Sequence, residues 1–175
     1  FMHSYTDRRT QKVWDCISIY DAYKKYQWGG KCFQKNAEIL DKLSSDLKNG
    51  IENKDTAKCS TVCLEILRWG GVLRGNREKI EGSESLVQYL KDAKKKLATG
   101  KIESRDFYKE VYMNSGFTKI YSLYMDDFII YDSRVGAALG FLVRRYCEEK
   151  KLDKIPELLR FAYGNSKGGT NRNPS

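Results

Sequence analysis

The segment SGFTKIYSLYMDDFIIYDSRVGAAL, Ser115–Leu139, contains two helix starts joined by a short linker. A glycine turn at Gly116 precedes a short aromatic helix that carries one lysine, Lys119. The run FIIY, residues 128–131, is too short for a strand and predicts an extended connection. Asp132 then opens a second helix, because aspartate is a preferred N-cap residue. The segment therefore predicts two consecutive helices with a lone amine and a lone carboxylate near their starts.

Each of these two groups has a structural and a chemical interpretation. As an N-cap, Asp132 bonds the first amides of its helix, and the helix dipole keeps such a carboxylate ionised. That charge also suits a site that must stabilise positive charge on a substrate. Lys119 fits a solvated surface lysine, but its aromatic neighbours and the opposing helix dipole favour a nucleophilic amine. The sequence thus leaves two alternatives, a cap with a surface lysine or a nucleophile with its helper.

The run GFTK, followed by the linker and IYDSRV, resembles the active-site region of the helix-hairpin-helix DNA glycosylases, closest to the 8-oxoguanine DNA glycosylase branch. The resemblance covers residues 105–163. It implies an all-α domain with a helix-hairpin-helix-like motif near residues 105–125. It also implies that Lys119 is the nucleophile and that Asp132 assists it. In place of the Leu-Pro and first glycine of that family's hairpin, this chain has Asn114-Ser115.

The activity implied by this resemblance is excision of a damaged or modified base, by default 8-oxoguanine, from double-stranded DNA. A lysine Schiff base then leads to β-elimination and a nicked strand. Three alternatives stay open. The chain is a non-catalytic helix-hairpin-helix DNA-binding module, or a glycosylase that acts on modified bases in foreign (phage) DNA. The third is a helical protein-interaction domain whose charge is incidental.

The same resemblance assigns further contacts to DNA. Amides of the hairpin at the helix N-terminus would face a backbone phosphate, and an arginine one turn into the next helix would face another. These predicted DNA-binding residues are Ser115, Gly116, Phe117, Thr118 and Arg134.

The base pocket is predicted from two further residues. Leu123 lies one turn after Lys119 on the same helix face and is expected to line the pocket. Phe161, in the last predicted helix, resembles the C-terminal stacking position of the family. Together they predict an apolar site for the flipped base.

Composition and charge are consistent with a DNA partner. The chain has 175 residues with 41% hydrophobic and 31% charged, which predicts one globular domain over residues 1–163. The tail, residues 164–175, is predicted to be flexible. The whole chain has 32 Lys and Arg against 23 Asp and Glu. The resulting net charge of +9 is typical of proteins with a polyanionic partner. We expect a monomer.

Several function classes are excluded by residue counts. The only histidine is His3, which leaves no Ser–His or Cys–His catalysis and no histidine-based metal site. Five cysteines without a CxxC spacing predict reduced thiols, and neither a metal nor a cofactor is expected. No apolar segment approaches the ~20 residues of a membrane span, and the polar start lacks a signal peptide. The predicted location is cytoplasmic, nucleoid-associated in a prokaryote, or nuclear.

Helical periodicity extends over nearly the whole chain. Both WGG runs predict glycine C-caps, and Asn49-Gly50 predicts a helix end. After Asp132, apolar residues at helical spacing form a stripe of the kind that packs on a core. The predicted helices cover residues 8–27, 33–48, 56–68 and 83–97, with further starts at Ser104, Gly116, Asp132 and Pro156; the stripe is Val135, Ala138, Leu139, Leu142, Val143 and Tyr146.

Overall fold

The computed structural model describes residues 2–7, 10–99 and 107–161, and these are mostly helical. It divides into two compact units, residues 1–45 and 46–175. Helix α2 (Phe33–Glu52) begins in the first unit and ends in the second. The predicted tail over residues 164–175 and the helix start at Ser104 lie outside the described residues.

The first unit opens with a β-hairpin, so the prediction of a helix over residues 8–27 is wrong. Strands β1 (His3–Thr6) and β2 (Val13–Cys16) pair antiparallel, with Tyr5 opposite Trp14. Their ring centroids lie 5.7 Å apart, a cross-strand aromatic contact that favours the sheet. Tertiary pairing of this kind overrides helical periodicity in a short segment.

A short helix and a second hairpin complete the first unit before α2. Ser18 caps α1 (Ile19–Lys24) by accepting the amide of Asp21. Strands β3 (Gln27–Trp28) and β4 (Lys31–Cys32) are joined by Gly29 and Gly30, at φ +58° and +75°. Two consecutive positive φ values define a tight hairpin turn. The prediction that this first WGG run caps a helix is therefore wrong.

Helices dominate the second unit, and α3 lies at its centre, packed against α4, α5 and α7. The elements are the end of α2 (Phe33–Glu52), then α3 (Thr56–Trp69), α4 (Arg77–Glu81), α5 (Leu86–Ala98), α6 (Phe107–Glu110), α7 (Phe117–Tyr124), α8 (Ser133–Glu149) and a 3-10 turn at Glu157–Leu159.

The second WGG run does cap a helix, as predicted. The Val72 amide donates to the Leu67 carbonyl over 2.9 Å, and the Gly71 amide donates to the Arg68 carbonyl over 3.1 Å. These two bonds with a positive φ at Gly71 (+67°) form a Schellman motif. The motif turns the chain sharply after α3 and leaves Gly70 as its last αR residue.

Asn49-Gly50 does not end a helix, so the predicted boundary at residue 48 is wrong. Helix α2 continues to Glu52. A Cβ at Gly50 would lie 2.9 Å from the Sγ atom of Cys59, closer than a real side chain tolerates. This glycine therefore lets the end of α2 approach α3 closely rather than terminating the helix.

The core of the second unit is formed mainly by apolar side chains from α2, α3, α4, α5 and α7. The Tyr89 and Tyr121 hydroxyls lie 2.6 Å apart, and the Tyr89 hydroxyl also accepts the Tyr112 amide. This network ties α5 to α7 and to the loop before it. The largest fully buried side chains are Tyr121, Phe117, Leu47, Ile66, Leu67, Ile80, Leu86, Leu90 and Ile120.

Helix α8 begins at Ser133 as predicted, but it buries a different face from the one expected. Its buried residues are Gly136, Gly140 and Cys147. Leu139, Leu142 and Tyr146 from the predicted stripe are 39%, 41% and 45% exposed. Small residues, rather than the predicted apolar stripe, thus form the buried face of α8.

No helix among the described residues has the length and apolar character needed to cross a bilayer.

Helix α6 is a single turn, and residues 101–106 before it are not described, so the helix-hairpin-helix arrangement stays a prediction.

Candidate active site

Lys119 is buried on α7, against the end of α3. Its side chain is 4% exposed. A Cβ at Gly70 would lie 2.5 Å from Cδ and 2.9 Å from Cε of Lys119. Gly70 has φ −74°, which any residue adopts, so its role is to leave room. The end of α3 thereby holds the lysine stem in one position.

The ammonium of Lys119 has two partners. Nζ donates to the Ser115 carbonyl over 2.9 Å and to Oδ2 of Asp132 over 3.1 Å. An ammonium offers three hydrogens, so these contacts use two of them. The lone amine and lone carboxylate singled out by the sequence are therefore in direct contact.

Asp132 divides its two carboxylate oxygens between capping and the lysine. Oδ1 accepts the amides of Arg134 (2.9 Å) and Val135 (3.3 Å), as expected of the N-cap of α8. Oδ2 faces Nζ of Lys119 and lies 3.4 Å from Nη1 of Arg134. The side chain of Asp132 is 11% exposed, whereas that of Arg134 is 54% exposed. Asp132 is thus both the N-cap of α8 and the charged partner of Lys119.

The environment of Asp132 keeps its carboxylate ionised. Burial by itself raises the pKa of Asp132, but the hydrogen bond and charge of Lys119 lower it. The amides of Arg134 and Val135 lower it further, and the resulting pKa lies below the ordinary value. A carboxylate held in this state suits stabilisation of a positive charge.

Thr118 fixes α7 relative to the linker that leads to Asp132. Its hydroxyl donates to the Tyr131 carbonyl over 2.9 Å, and the residue is 3% exposed. Because Tyr131 immediately precedes Asp132, this bond sets the position of the carboxylate next to Lys119. The predicted DNA contact of Thr118 is through its amide and stays a prediction; its hydroxyl lies inside the fold.

The amides at the start of α7 already donate to Asn114. Its Oδ1 accepts the amides of Gly116 (2.9 Å) and Phe117 (3.1 Å), and its carbonyl accepts that of Thr118 (2.9 Å). A phosphate at these amides would have to displace Asn114, so the predicted contact stays a prediction. The sequence analysis did not identify Asn114 as a cap, although Asn side chains commonly accept the backbone amide two residues later.

Two further predicted DNA-binding residues, Phe117 and Ser115, make contacts within the fold. Phe117 is fully buried, and its ring contacts Tyr89, Tyr112 and Tyr121, which makes it a core residue. Ser115 supplies its carbonyl to Lys119.

The two predicted base-pocket residues, Leu123 and Phe161, lie on different elements. Leu123 is half-buried, one turn after Lys119 on α7. Phe161 is half-buried in a groove whose α8 wall begins at Gly140. Gly140 is about 12 Å along the helix axis from Asp132, at ~1.5 Å rise per residue. The assignment of Phe161 to the base pocket therefore stays a prediction.

Gly116 makes a second close approach beside the pair. A Cβ there would lie 2.5 Å from Nδ2 of Asn76 and 2.8 Å from Cδ2 of Leu67. Asn76 is 7% exposed, and its Nδ2 donates to the Val72 carbonyl over 2.8 Å. The glycine of GFTK thus seats α7 against the end of α3 and the turn that follows.

The described part of the chain contains no cluster of metal-ligating side chains. No group of three or more His, Cys, Asp or Glu side chains there is placed to hold a metal ion. All five cysteines are free thiols.

Comparison of the chain with protein-family models, with curated proteins and with solved structures finds no match. The assignment of chemistry therefore depends on the residues and their geometry.

Replacing Gly70 with Ala tests the contact with the lysine stem. We expect Gly70→Ala to lower the free energy of unfolding by about 1–3 kcal/mol, because the added methyl overpacks a buried site. Gly75→Ala is the matched control, since no atom lies within 4 Å of a Cβ there, and it should leave stability unchanged or slightly higher. Urea denaturation measures both; equal midpoints for the two variants would contradict the packing.

The buried pair predicts a pH-dependent stability difference. Asp132→Asn keeps the cap but leaves the Lys119 ammonium unpaired, so near neutral pH it should cost about 3 kcal/mol. Because the folded pKa of Asp132 is lowered, the carboxylate stabilises the fold above its unfolded pKa of about 3.9. This contribution is lost as pH falls below about 4 towards the folded pKa.

Parent and Asp132→Asn should therefore converge in stability in acid and differ at neutral pH, as measured by urea denaturation at a series of pH values. The control is Lys119→Met/Asp132→Asn, which removes both charges and should recover most of the loss. A stability difference that is independent of pH would show that the pair does not form.

Proposed function

We propose that this chain is a DNA glycosylase with associated strand-nicking activity, in which Lys119 is the nucleophile and Asp132 assists it. The observation that carries the proposal is the buried contact of 3.1 Å between Nζ and Oδ2. Burying two charges costs free energy that a well-packed apolar pair would avoid, so such pairs concentrate at functional sites. The net charge of +9 supports a nucleic-acid partner.

The reaction follows from the chemistry of an amine next to a carboxylate. A base within a duplex is out of reach and must be flipped out, at a cost of a few kcal/mol. The Lys119 amine bonds to C1′ as the bond from C1′ to the base breaks, and the base leaves with that electron pair and gains a proton. Asp132, kept ionised by its surroundings, stabilises the positive charge that develops at C1′, and the proton that Lys119 loses passes to the departing base, directly or through water.

Strand nicking requires no further residue type. Opening of the sugar gives an imine between Nζ and C1′. The imine acidifies C2′, a proton is lost there, and the 3′ phosphate leaves. Arg134, 54% exposed in the first turn of α8, would pair with a backbone phosphate.

Access to the lysine sets a condition on this mechanism. Because Nζ lies in a side chain that is only 4% exposed, DNA binding must uncover it. Gly70 contacts the lysine stem, so movement of the turn at Gly70 and Gly71 would open the site. Exchange of the Ser115 carbonyl for the nucleotide would free the amine.

The same burial favours a second candidate function, a non-catalytic DNA-binding module. With Ser115 and Asp132 both in place, the ammonium is paired without any substrate. In that case the pair is a structural link between α7 and α8, and the basic charge alone contacts DNA. Trapping of a covalent intermediate separates the two functions.

Lys119→Gln should abolish base release and borohydride trapping, because an amide cannot form an imine. The assay uses a panel of duplexes with oxidised, alkylated and phage-type modified bases. Lys94→Gln, at an exposed lysine on α5, is the matched control and should trap like the parent. Mass spectrometry of the trapped parent should locate the adduct on Lys119. Trapping elsewhere, or on no duplex of the panel, would contradict the assignment of the nucleophile.

Asp132→Asn should slow single-turnover excision by a factor on the order of 10²–10⁴, the usual effect of losing a positioned charge or base. Binding to an abasic-analogue duplex should persist, because Asn retains the cap. The measurement is made where circular dichroism shows a folded variant. Excision at the parental rate would leave Asp132 only its capping role.

Affinity for the abasic-analogue duplex should fall steeply with salt, as expected when phosphate contacts release counterions. Arg134→Ala should weaken binding to all sequences alike and reduce the salt slope by about 1. Arg77→Ala, at a side chain 51% exposed on α4, is the matched control and should change neither. Fluorescence anisotropy at several salt concentrations measures both; salt-independent binding would count against a DNA partner.

A further inference from the structure

Four aromatic side chains of the first unit form a continuous row on its surface. The rings of Tyr20 and Tyr23, one turn apart on α1, have centroids 6.0 Å apart. The ring of Phe33, at the start of α2, lies 4.9 Å from that of Tyr23 and 6.2 Å from that of Tyr26. We define these four residues as the aromatic row; in the order Tyr20, Tyr23, Phe33 and Tyr26 they are 66%, 46%, 44% and 39% exposed. Large aromatic side chains that contact each other and yet stay exposed mark an interaction surface.

Local hydrogen bonds hold the aromatic row in a fixed shape. Asn36 is 3% exposed, and its Nδ2 donates to three carbonyls of the β3–β4 hairpin, each over 3.1 Å. These bonds fix the hairpin against the first turn of α2, which begins with Phe33. The Ser18 cap likewise fixes the start of α1, which carries Tyr20 and Tyr23. A surface that is already ordered loses little conformational entropy when it binds a ligand.

The surroundings of the aromatic row are basic. Residues 17–36 contain four lysines and one acidic residue, Asp21. Lys25 pairs with Asp21 and with Asp15, over 3.0 Å in each case. The other three lysines are exposed and have no acidic partner among the described residues: Lys24, Lys31 and Lys35. The row therefore combines exposed rings with positive charge that the fold does not neutralise.

These three lysines lie close to the rings. Nζ of Lys24 is 5.4 Å from the centroid of the Tyr20 ring, within the range of a cation–π contact. Lys31 and Lys35 lie two positions before and two positions after Phe33 in the chain. Proteins that bind single-stranded nucleic acid use this combination, because bases stack on aromatic rings while basic side chains contact the phosphates.

The composition of this surface favours an unpaired nucleic-acid strand over other partners. Protein interfaces are rich in aromatic residues but depleted in lysine, whereas four of the twenty residues at 17–36 are lysines. Helices that bind membrane surfaces present Trp, Phe and Leu, whereas three of the four rings here carry a hydroxyl group. In a duplex the base faces are covered by their neighbours, so only an unpaired strand offers them to the rings.

We propose that the aromatic row binds single-stranded DNA, with its rings stacked on unpaired bases and its three lysines at phosphates. The stacking surface is independent of Lys119 and Asp132. The choice of DNA over RNA rests on the proposed function, which gives this chain a DNA partner.

Fluorescence anisotropy of a labelled oligo-dT of about 12 nucleotides, titrated with the full chain, tests the stacking. Tyr20→Ala should raise the Kd roughly 5- to 150-fold, the usual effect of removing one base-stacking ring. Tyr20→Trp should bind at least as tightly as the parent, whereas Tyr20→Leu should be as weak as Tyr20→Ala, because it is apolar but has no ring. Tyr146→Ala, at a tyrosine 45% exposed on α8, is the matched control and should bind like the parent.

The salt dependence of the same titration tests the phosphate contacts and leaves the rings intact. Lys31→Gln should reduce the slope of log Kd against log salt by about 0.7, the value for one phosphate contact on a single strand. Lys154→Gln, at an exposed lysine after α8, is the matched control and should leave the slope unchanged.

Two variants separate this proposal from the glycosylase proposal, with circular dichroism to show that each is folded. Lys119→Gln should bind oligo-dT like the parent. Tyr20→Ala should keep the parental affinity for the abasic-analogue duplex and the parental yield of borohydride trapping. A parent that binds oligo-dT but traps on no duplex would therefore contradict the glycosylase proposal alone.

Three outcomes would overturn the proposal. The first is a folded parent that does not bind oligo-dT. The second is a Kd for Tyr20→Leu equal to that of the parent, since this indicates apolar contact without stacking. The third is tighter binding to oligo-rU of the same length, or to vesicles that contain phosphatidylserine, than to oligo-dT, since this assigns the row to RNA or to a membrane surface.

Discussion

The buried ion pair between Lys119 and Asp132 is the interaction on which the arrangement of α7 and α8 depends. It joins two helices that are adjacent in sequence but separated by an extended linker, with Nζ and Oδ2 at 3.1 Å. Two charges in a nearly dry site are stable only when each is paired and hydrogen-bonded. The Ser115 carbonyl meets this requirement for the lysine, and two α8 amides meet it for the carboxylate.

Glycines provide the space that this pair needs. Gly70 lets the lysine stem lie against the end of α3, and Gly116 lets the start of α7 lie against Leu67 and Asn76. Both contacts converge on the last turn of α3, which the Schellman motif ends sharply before Val72. Because close packing transmits small displacements, the end of α3 controls where the amine points. The GFTK turn and the second WGG run are therefore parts of one site, although 45 residues separate Gly70 from Ser115.

Local signals in the sequence predicted the helix starts well and the contacts between distant segments poorly. Asp132 as the cap of α8 and Gly116 before α7 follow from chemistry within a few residues, and the structure confirms both. The hairpin at β1 and β2 was missed because pairing of Tyr5 with Trp14 outweighs local periodicity. The contact of Lys119 with Gly70 was not predictable, since nothing near either residue reports which glycine faces which side chain. The apolar stripe on α8 was identified by its helical spacing, but that spacing alone does not say whether the stripe is buried.

The degree of burial of the amine separates the two proposed functions. A nucleophile must reach C1′, so a lysine that is 4% exposed at rest requires a conformational step that a purely structural lysine does not. The contacts make such a step feasible at one place: Gly70 restrains the stem by packing alone, and Gly71 beside it already adopts a positive φ. Asp132, in contrast, is held by two backbone amides through Oδ1, and these contacts do not involve the lysine. A fixed carboxylate beside a releasable amine suits base excision, because the charge that stabilises C1′ must be in place before the amine arrives.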